Sequence, residues 1–415
     1  IYKCLFLCNG SAAMSACRMK GESAMVNRYK NASTSKSHKA VTLSDVAQRC
    51  GMAKSTVSLA LRGDPRVMAS TAQRIRALAA KMGYDPTPHY MARRLALLKH
   101  GVRLVNRVVG LLFPPAVYAA PFYARLLQGL VEDLTANDFN LIAGCFADDI
   151  KRTSIYHLLA RGDVDALAFY QEAEILDPLV AQARAIAGFG DRPIMSLLFP
   201  NPRASAVVAN ETEAMRQAVR HLLALGHRHF LLVSVDLGSA DRILAMPRWR
   251  GVILALGDAG LPANHWHLLP LAGRWMDPLR APHYLNIADS PSSSAATDEW
   301  SSRLVSYLRQ RPEITAILTQ NDAAALNIWH LLHQTGWRIP DDYSLVGFDD
   351  TDPMFDASGR NLLATIRMPL VEVGREASRI LRQRILGEIK EDRTVCLPAQ
   401  FIPRASVAPP SRHAS

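Results

Sequence analysis

A short stretch near residue 55 carries side chains suited to reading another molecule. Helical spacing from Ala53 onward buries Val57, Ala60 and Leu61 and turns Lys54, Ser55, Ser58 and Leu59 to the opposite face. A lysine ammonium donates to guanine O6 and N7, a serine hydroxyl serves either partner of a base pair, and a leucine packs on a thymine methyl. The chemistry of this face agrees in part with the edges of duplex DNA. The adjacent carboxylates Asp349 and Asp350 would suit general acid–base work, but no nucleophile, metal-ligand cluster or cofactor loop accompanies them. The chain has no Gly-x-Gly-x-x-Gly run and no phosphate-binding loop. Its six cysteines (Cys4, Cys8, Cys17, Cys50, Cys145 and Cys396) lie far apart, with no Cys-x-x-Cys and no paired Cys/His spacing. That pattern argues against a zinc site or a disulfide framework and fits a reducing cytoplasm. No enzyme activity, cofactor or metal is expected.

Three short helices must hold the reading face in place. Thr42 or Ser44 can cap a first helix whose apolar positions are Leu43, Val46 and Ala47. Gly51 marks a sharp turn, Met52 fills the angle behind it, and the helix that starts near Ala53 follows. A third amphipathic segment over 70–82 comes after Val67 and ends at Gly83-Tyr84. Three helices around one small core, with a basic face, make a helix-turn-helix DNA-binding head. The alternative is a helical hairpin whose basic face is merely solvated. Charge favours the first reading. Residues 36–107 hold fourteen Lys/Arg against Asp45, Asp64 and Asp85, whereas the 308 residues that follow hold 29 basic and 33 acidic side chains. A basic module on a mildly acidic body suits a polyanion partner.

From Val108 the pattern changes to buried strands alternating with amphipathic helices. Strands are expected at 108–113, 139–143, 166–170, 193–198 and 206–208, then at 230–234, 316–319 and 343–347. Helices are expected at 122–134, 153–160, 213–225, 249–259, 300–310 and 323–334. This is an α/β wound architecture repeated twice. No uncharged apolar run approaches the roughly 18–20 residues of a membrane helix, so no membrane is expected as a partner. The stretch 277–298, rich in Ser and Pro, reads as a surface loop.

Several motifs, in order along the chain, resemble the lactose-repressor (LacI/GalR) family of bacterial transcription regulators. In the head they are Val41-Thr42-Leu43-x-Asp45-Val46-Ala47, Thr56-Val57-Ser58, Val67, Thr71 and Gly83-Tyr84-x-Pro86. In the body they include Leu225-Gly226-His227-Arg228, Arg248-x-x-Gly251, Asn321-Asp322, Val346-Gly347-Phe348-Asp349-Asp350, Ala364-Thr365-Ile366 and Arg404-Ala405-Ser406. Ala53, Cys50, Arg62 and Met68 depart from the residues usual in the family. So does Ala209-Asn210-Glu211, where the family often has an Asp-Asn pair, and the ligand class does not carry over.

The resemblance implies an N-terminal all-α helix-turn-helix head on a periplasmic-binding-protein-like α/β body of two wound subdomains. It places Lys54, Ser55 and Leu59 at base-reading positions, Thr42, Thr56, Ser58 and Thr71 at phosphate contacts, and Tyr84 among the DNA-binding residues. The run Ala92-Arg93-Arg94-Leu95 is similar to the family's hinge helix, with Arg93 in the minor groove and Leu95 as the wedge. Here the spacing from Tyr84 to Leu95 is about two residues longer than usual, which turns a helix by about 200°. In the body, Arg248, Asn321 and Asp349 match ligand-contact positions and Phe122 an aromatic at the cleft; Tyr170 and Trp249 lie close by in sequence. Charge-assisted hydrogen bonds and an aromatic wall suit a sugar or other polyol.

The expected organisation is a tail over 1–40, disordered or translated from upstream sequence with Met25 as a candidate start. A head follows over 41–86, a hinge and linker over 87–107, the body over 108–408 and a tail over 409–415. Passages between the two subdomains are expected near 209, 355 and 395. The expected function is that of a cytoplasmic, homodimeric regulator, a repressor in the first instance. It would bind double-stranded operator DNA under the control of a small-molecule effector, a carbohydrate or related metabolite. The competing reading is a transport-type solute-binding protein.

Overall fold

The computed structural model describes residues 41–61, 64, 66–84, 105–113, 121–145, 149–170, 173–272 and 299–411. The expected hinge residues Arg93 and Leu95, the tail over 1–40 and the loop over 277–298 lie outside them. Head and body are separate compact units.

The head consists of α1 (Leu43–Cys50), α2 (Lys54–Leu61) and α3 (Ala69–Lys81). Of the two candidate caps it is Thr42 that acts. Its hydroxyl accepts from the Asp45 amide at 3.3 Å, and the Asp45 carboxylate accepts from the Thr42 amide at 2.7 Å, a reciprocal capping box. Gly51 ends α1 at φ 65°, which a glycine adopts without steric cost. Val46, Ala47, Val57, Ala60, Ala72, Ile75 and Ala79 form the core, with Met52, Val67 and Tyr84 packed at its margin. Arg76 ties α3 to the end of α2 by donating from Nε to the Ala60 carbonyl at 3.3 Å.

The first half of the body runs β1 (Val108–Phe113), α4 (Pro121–Ala136), β2 (Asn140–Cys145), α5 (Tyr156–Ala160), β3 (Ala166–Phe169), α6 (Ala173–Arg184), β4 (Ile194–Leu197) and β5 (Ser205–Ala209). The second half opens with α7 (Glu211–Ala224), β6 (Phe230–Val235), α8 (Ala240–Leu244), α9 (Pro247–Asp258) and β7 (Trp266–Leu271). It continues through α10 (Glu299–Arg309), β8 (Ala316–Thr319), α11 (Asp322–Gln334), β9 (Ser344–Asp349) and β10 (Ala364–Arg367). The chain closes with α12 (Leu370–Leu386), β11 (Thr394–Leu397) and β12 (Gln400–Ile402). One sheet has the order β11-β5-β4-β3-β1-β2 and the other β12-β10-β9-β8-β6-β7. The pairings are parallel except that of β12 with β10. Strands β3, β4, β8 and β9 are buried along their whole length, as a sheet covered on both faces requires.

The chain passes between the sheets after Ala209, between β10 and α12, and between β11 and β12. The middle passage therefore falls between Arg367 and Leu370 rather than near 355. The segment 351–363 stays with the second half because its polar groups are tied there. The amides of Thr351 and Asp352 bond to the Asp322 carboxylate, and the Leu362 carbonyl accepts from the Ser406 amide at 2.9 Å. Helices α6 and α12 are not expected from the sequence. Pro178 sits inside α6, where a proline usually argues against a helix.

Helix α12 returns to the first half and packs backbone to backbone on α4. A Cβ at Gly129 would fall on the Val371 carbonyl oxygen, and one at Gly374 on that of Leu126. The half-buried Asp133 carboxylate adds a bond from Arg382 Nε at 2.9 Å and another from the Ser378 hydroxyl. Gly374→Ala should destabilise the body by about 1–3 kcal/mol through overpacking. Gly257→Ala, in exposed open space on α9, should be neutral or stabilising by up to roughly 1 kcal/mol. Thermal unfolding followed by circular dichroism separates the two; equal midpoints would contradict a tight seam.

Candidate functional site

The head offers one polar face. On α2, Lys54 and Ser55 are exposed, Thr56, Ser58 and Leu59 half-buried, and Val57 and Ala60 buried. Thr71 is half-buried on α3, and Tyr84 packs at the margin of the head core. The structure thus brings Lys54, Ser55, Ser58 and Leu59 to one side of a single short helix. Thr42 plays a different part, because its hydroxyl also donates to Asp45 Oδ2 at 2.7 Å and is thereby committed to the cap of α1.

In the body the expected residues converge where the carboxyl ends of the two sheets meet, the usual ligand position in wound α/β folds. The first half contributes aromatics. Phe122 and Tyr123, in the first turn of α4, pack with Tyr170, which follows β3, at centroid distances of 5.8 and 5.0 Å. Phe199, which follows β4, packs on Tyr170 at 5.4 Å. Burial raises the Tyr123 phenol above its usual range; the neighbouring Tyr170 opposes this and Asp349 reinforces it. Burial holds the Tyr170 phenol well above its usual range; the neighbouring Tyr123 and Asp349 push the same way, and Arg248 opposes them.

The second half contributes polar groups. Arg248, the second residue of α9, donates from Nε to Glu211 at 3.1 Å and from NH1 to the Gln320 carbonyl at 2.5 Å. Its guanidinium lies over the Phe348 ring, 4.0 Å from the centroid. Asp349 ends β9 and is only 8% exposed. Burial pushes its carboxyl well above the usual range; Arg248 counteracts this, and Asp322, Glu211 and Asp352 reinforce it. Beneath it lies Asp322, whose Oδ1 accepts from the Thr365 hydroxyl at 2.5 Å and whose Oδ2 accepts from the Thr351 amide at 2.8 Å. Burial pushes Asp322 up to about 8, against the pull of these hydrogen bonds.

Phe122, Arg248 and Asp349 therefore share one locality. Asn321 stands beside it, but its side-chain oxygen caps α11 by accepting from the Ala324 amide at 2.9 Å. Trp249 belongs to the core: it is fully buried and donates from Nε1 to Ser234 Oγ at 3.1 Å. Ser234 in turn donates to Gln320 Oε1 at 3.0 Å. Sequence reasoning misses Tyr123, Phe199, Gln320 and Asp322 as site residues. A signal exists for Tyr123, next to Phe122, and for Gln320 and Asp322, which flank Asn321. Phe199 has none, since its place depends on how β4 meets β3. Among the described residues no group of three or more His, Cys, Asp or Glu is placed to hold a metal ion, and no helix is long and apolar enough to cross a membrane.

Comparison with known proteins bears on both regions. Residues 42–87 match the model of the bacterial regulatory proteins of the lacI family, and residues 219–407 match that of the periplasmic binding protein-like domain. The chain is 28% identical over 384 residues to the HTH-type transcriptional regulator AglR of Rhizobium meliloti, covering 89% of this chain and 95% of that protein. Among solved structures it is similar to the Lac repressor dimer bound to operator and the anti-inducer ONPF. That likeness has a TM-score of 0.62, 19% identity, and covers 89% of this chain and 100% of that one. It is also similar to the transcriptional regulator CelR in complex with cellobiose, with a TM-score of 0.54, 22% identity, and coverage of 88% and 99%.

The buried carboxyls set a pH dependence. An unfolded aspartate titrates near ~3.9, whereas Asp322 in the folded chain titrates at about 8. Between those values the unfolded chain has released a proton that the folded chain retains. Stability therefore falls as pH rises through this window and levels off above it. Asp322→Asn mimics the protonated acid and should flatten that slope, leaving the share due to Asp349. Unfolding midpoints from pH 5 to pH 8 would decide; an unchanged slope would mean that Asp322 is ionised throughout.

Proposed function

Because the chain belongs to the lacI family of bacterial regulatory proteins, we propose that its head reads an operator while its body binds a neutral polyhydroxy effector that sets the affinity for DNA. The chain is a DNA-binding transcriptional regulator; the finer reading is of a homodimeric, cytoplasmic repressor without catalytic activity. Lys54, Ser55 and Leu59 would read base edges, while Thr56, Ser58 and Thr71 would touch phosphates. Arg93 and Leu95, in the linker over 87–107, would enter the minor groove on DNA. The Lac repressor dimer on its operator supports a two-fold arrangement, since one short helix reads only a few base pairs.

One observation carries the effector reading: an aromatic wall of Phe122, Tyr123 and Tyr170 stands against Arg248 and Asp349. Arg248 is already paired with Glu211, so its charge is matched before any ligand arrives. A carboxyl held above its usual range, as at Asp349, keeps its proton more readily, and in that form it donates as well as accepts. Hydroxyl groups answer that pattern better than a carboxylate or phosphate does. CelR, bound to cellobiose, is a structural neighbour with such a ligand.

Selection of bound duplexes from a random pool, with and without a panel of ribose, cellobiose and sucrose, tests the reading. The expected product is a pseudo-palindromic site whose occupancy one of the sugars changes. Lys54→Ala should weaken specific binding by about 1–3 kcal/mol and relax the base beneath it. Equal weakening on all duplexes would make Lys54 a phosphate contact instead. Asp349→Ala should abolish the response to the active sugar while leaving the thermal transition largely intact. Wild-type response in both Asp349→Ala and Arg248→Ala would place the effector elsewhere.

A further inference from the structure

Among the described residues, the two halves of the body meet at the turn formed by Asp349 and Asp350. Asp349 has φ 105° and Asp350 φ 57°, two consecutive non-glycine residues in the left-handed region. Such a conformation persists only where its surroundings over-determine it. The Asp350 carboxylate is held by Arg367 at 2.7 Å and by Arg404 at 2.8 Å, and the next two amides bond to Asp322. All of these anchors belong to the second half. The Asp350 carbonyl is held from the other side: it accepts from Arg125 NH1 at 2.9 Å, and Arg125 stands on α4 in the first half. Tyr123, two residues earlier, lies close enough to Asp349 for that acid to raise its phenol. One end of α4 thus grips Asp350 through a guanidinium and places a phenol in the neighbourhood of Asp349.

We infer that Arg125 is a positioning residue that latches the two halves of the body across the cleft by gripping the backbone of the turn that presents Asp349. The guanidinium is exposed, so its bond competes with water and yields to a small separation of the halves. An anchor of this kind adds little to folding and biases an opening equilibrium. The anchors from the second half keep the strained turn in place when the latch is open, whereas its distance from Tyr123 and Phe122 depends on the latch being closed. A consequence for regulation rests on the effector reading above. A ligand engaging Asp349 loads the same turn, so ligand and latch act on one equilibrium and each changes the other reciprocally. The latch itself needs no effector.

Amide hydrogen exchange on the full-length, ligand-free chain tests it in wild type, Arg125→Ala and Arg125→Lys. Arg125→Ala should accelerate exchange in peptides covering 121–128 and 346–354 by roughly fivefold, the factor equivalent to one net hydrogen bond. The head and the buried strands β3 and β8 should keep wild-type protection. Arg125→Lys, which still carries a donor, should restore most of the protection. Unchanged exchange over 346–354 in Arg125→Ala overturns the latch. A uniform rise throughout the body also overturns it, because Arg125 would then be an ordinary fold residue. No DNA or sugar enters the measurement, so either result stands apart from the fate of the effector reading.

Discussion

A buried acid that pairs with no cation among the described residues, Asp322, organises the second half of the body. It sits 1% exposed at the start of α11 and accepts from the Thr365 hydroxyl and from the amides of Thr351 and Asp352. Gly347 is packed so closely on it that a Cβ there would strike Oδ1. Those bonds fix where the chain goes after β9, which amides are satisfied in the buried loop, and how β10 lies beside β9. They also fix Asp349, two residues before the bonded segment. Removing any donor would leave buried polar atoms unpaired, a cost of about 1–3 kcal/mol each, whereas an apolar replacement could not orient the loop. The raised affinity for a proton is the electrostatic consequence of this arrangement, since hydrogen bonds alone only partly offset burial.

The head solves a different problem with different means. It has too few residues to bury a large core, and small alanine-rich helices gain little from packing alone. Local devices take a larger share: the Thr42–Asp45 capping box, the left-handed Gly51 and the Arg76 bond to the end of α2. Economy of this kind leaves Lys54 and Ser55 uncovered. The body, with strands buried on both faces, needs no such help, and several of the motifs that carry the family resemblance serve there as fasteners. His227, for example, is buried with Nδ1 at 2.8 Å from the Thr315 hydroxyl and Nε2 at 2.9 Å from the Ala408 carbonyl, binding the end of the chain to the second half. Ser406 does likewise by donating to the Leu345 carbonyl at 2.7 Å.

What can be read from the sequence follows from the range of the forces involved. Local periodicity and turn chemistry are enough for α1, α2 and α3 and for the wound pattern of the body, because side-chain spacing along one element is recorded along the chain. The return of α12 to the first half is not legible. It depends on Gly129 and Gly374 meeting across more than two hundred residues, and a lone glycine in a helix carries no address. Pro178 hides α6 for the opposite reason, a local signal overridden by a buried face that includes Leu176, Leu179, Val180 and Ala183. At the site, Arg248 and Asp349 are identified through resemblance, and Phe122 with them. The roles of Trp249 and Asn321 separate from ligand contact only once the Ser234 bond and the α11 cap are seen.

Charge pairing within the cleft limits how a ligand can act on the body. Glu211 and Arg248 belong to the same half, as do Asp350, Arg367 and Arg404, so these ion pairs persist whether the halves approach or separate. Ion pairs confined to one half cannot favour one spacing over another. Among the described residues, discrimination between spacings rests on groups that meet across the cleft: Phe122, Tyr123, Tyr170 and Arg125 on one side, Asp349 and the Asp350 carbonyl on the other. These are phenols, a ring, a carboxyl of raised proton affinity and one exposed guanidinium. Such contacts are individually weak, so a small molecule bridging them can supply the few kcal/mol that separate two states of comparable stability. A body held shut by strong ion pairs across the cleft would bind a ligand without responding to it; one held by contacts of this strength can be moved.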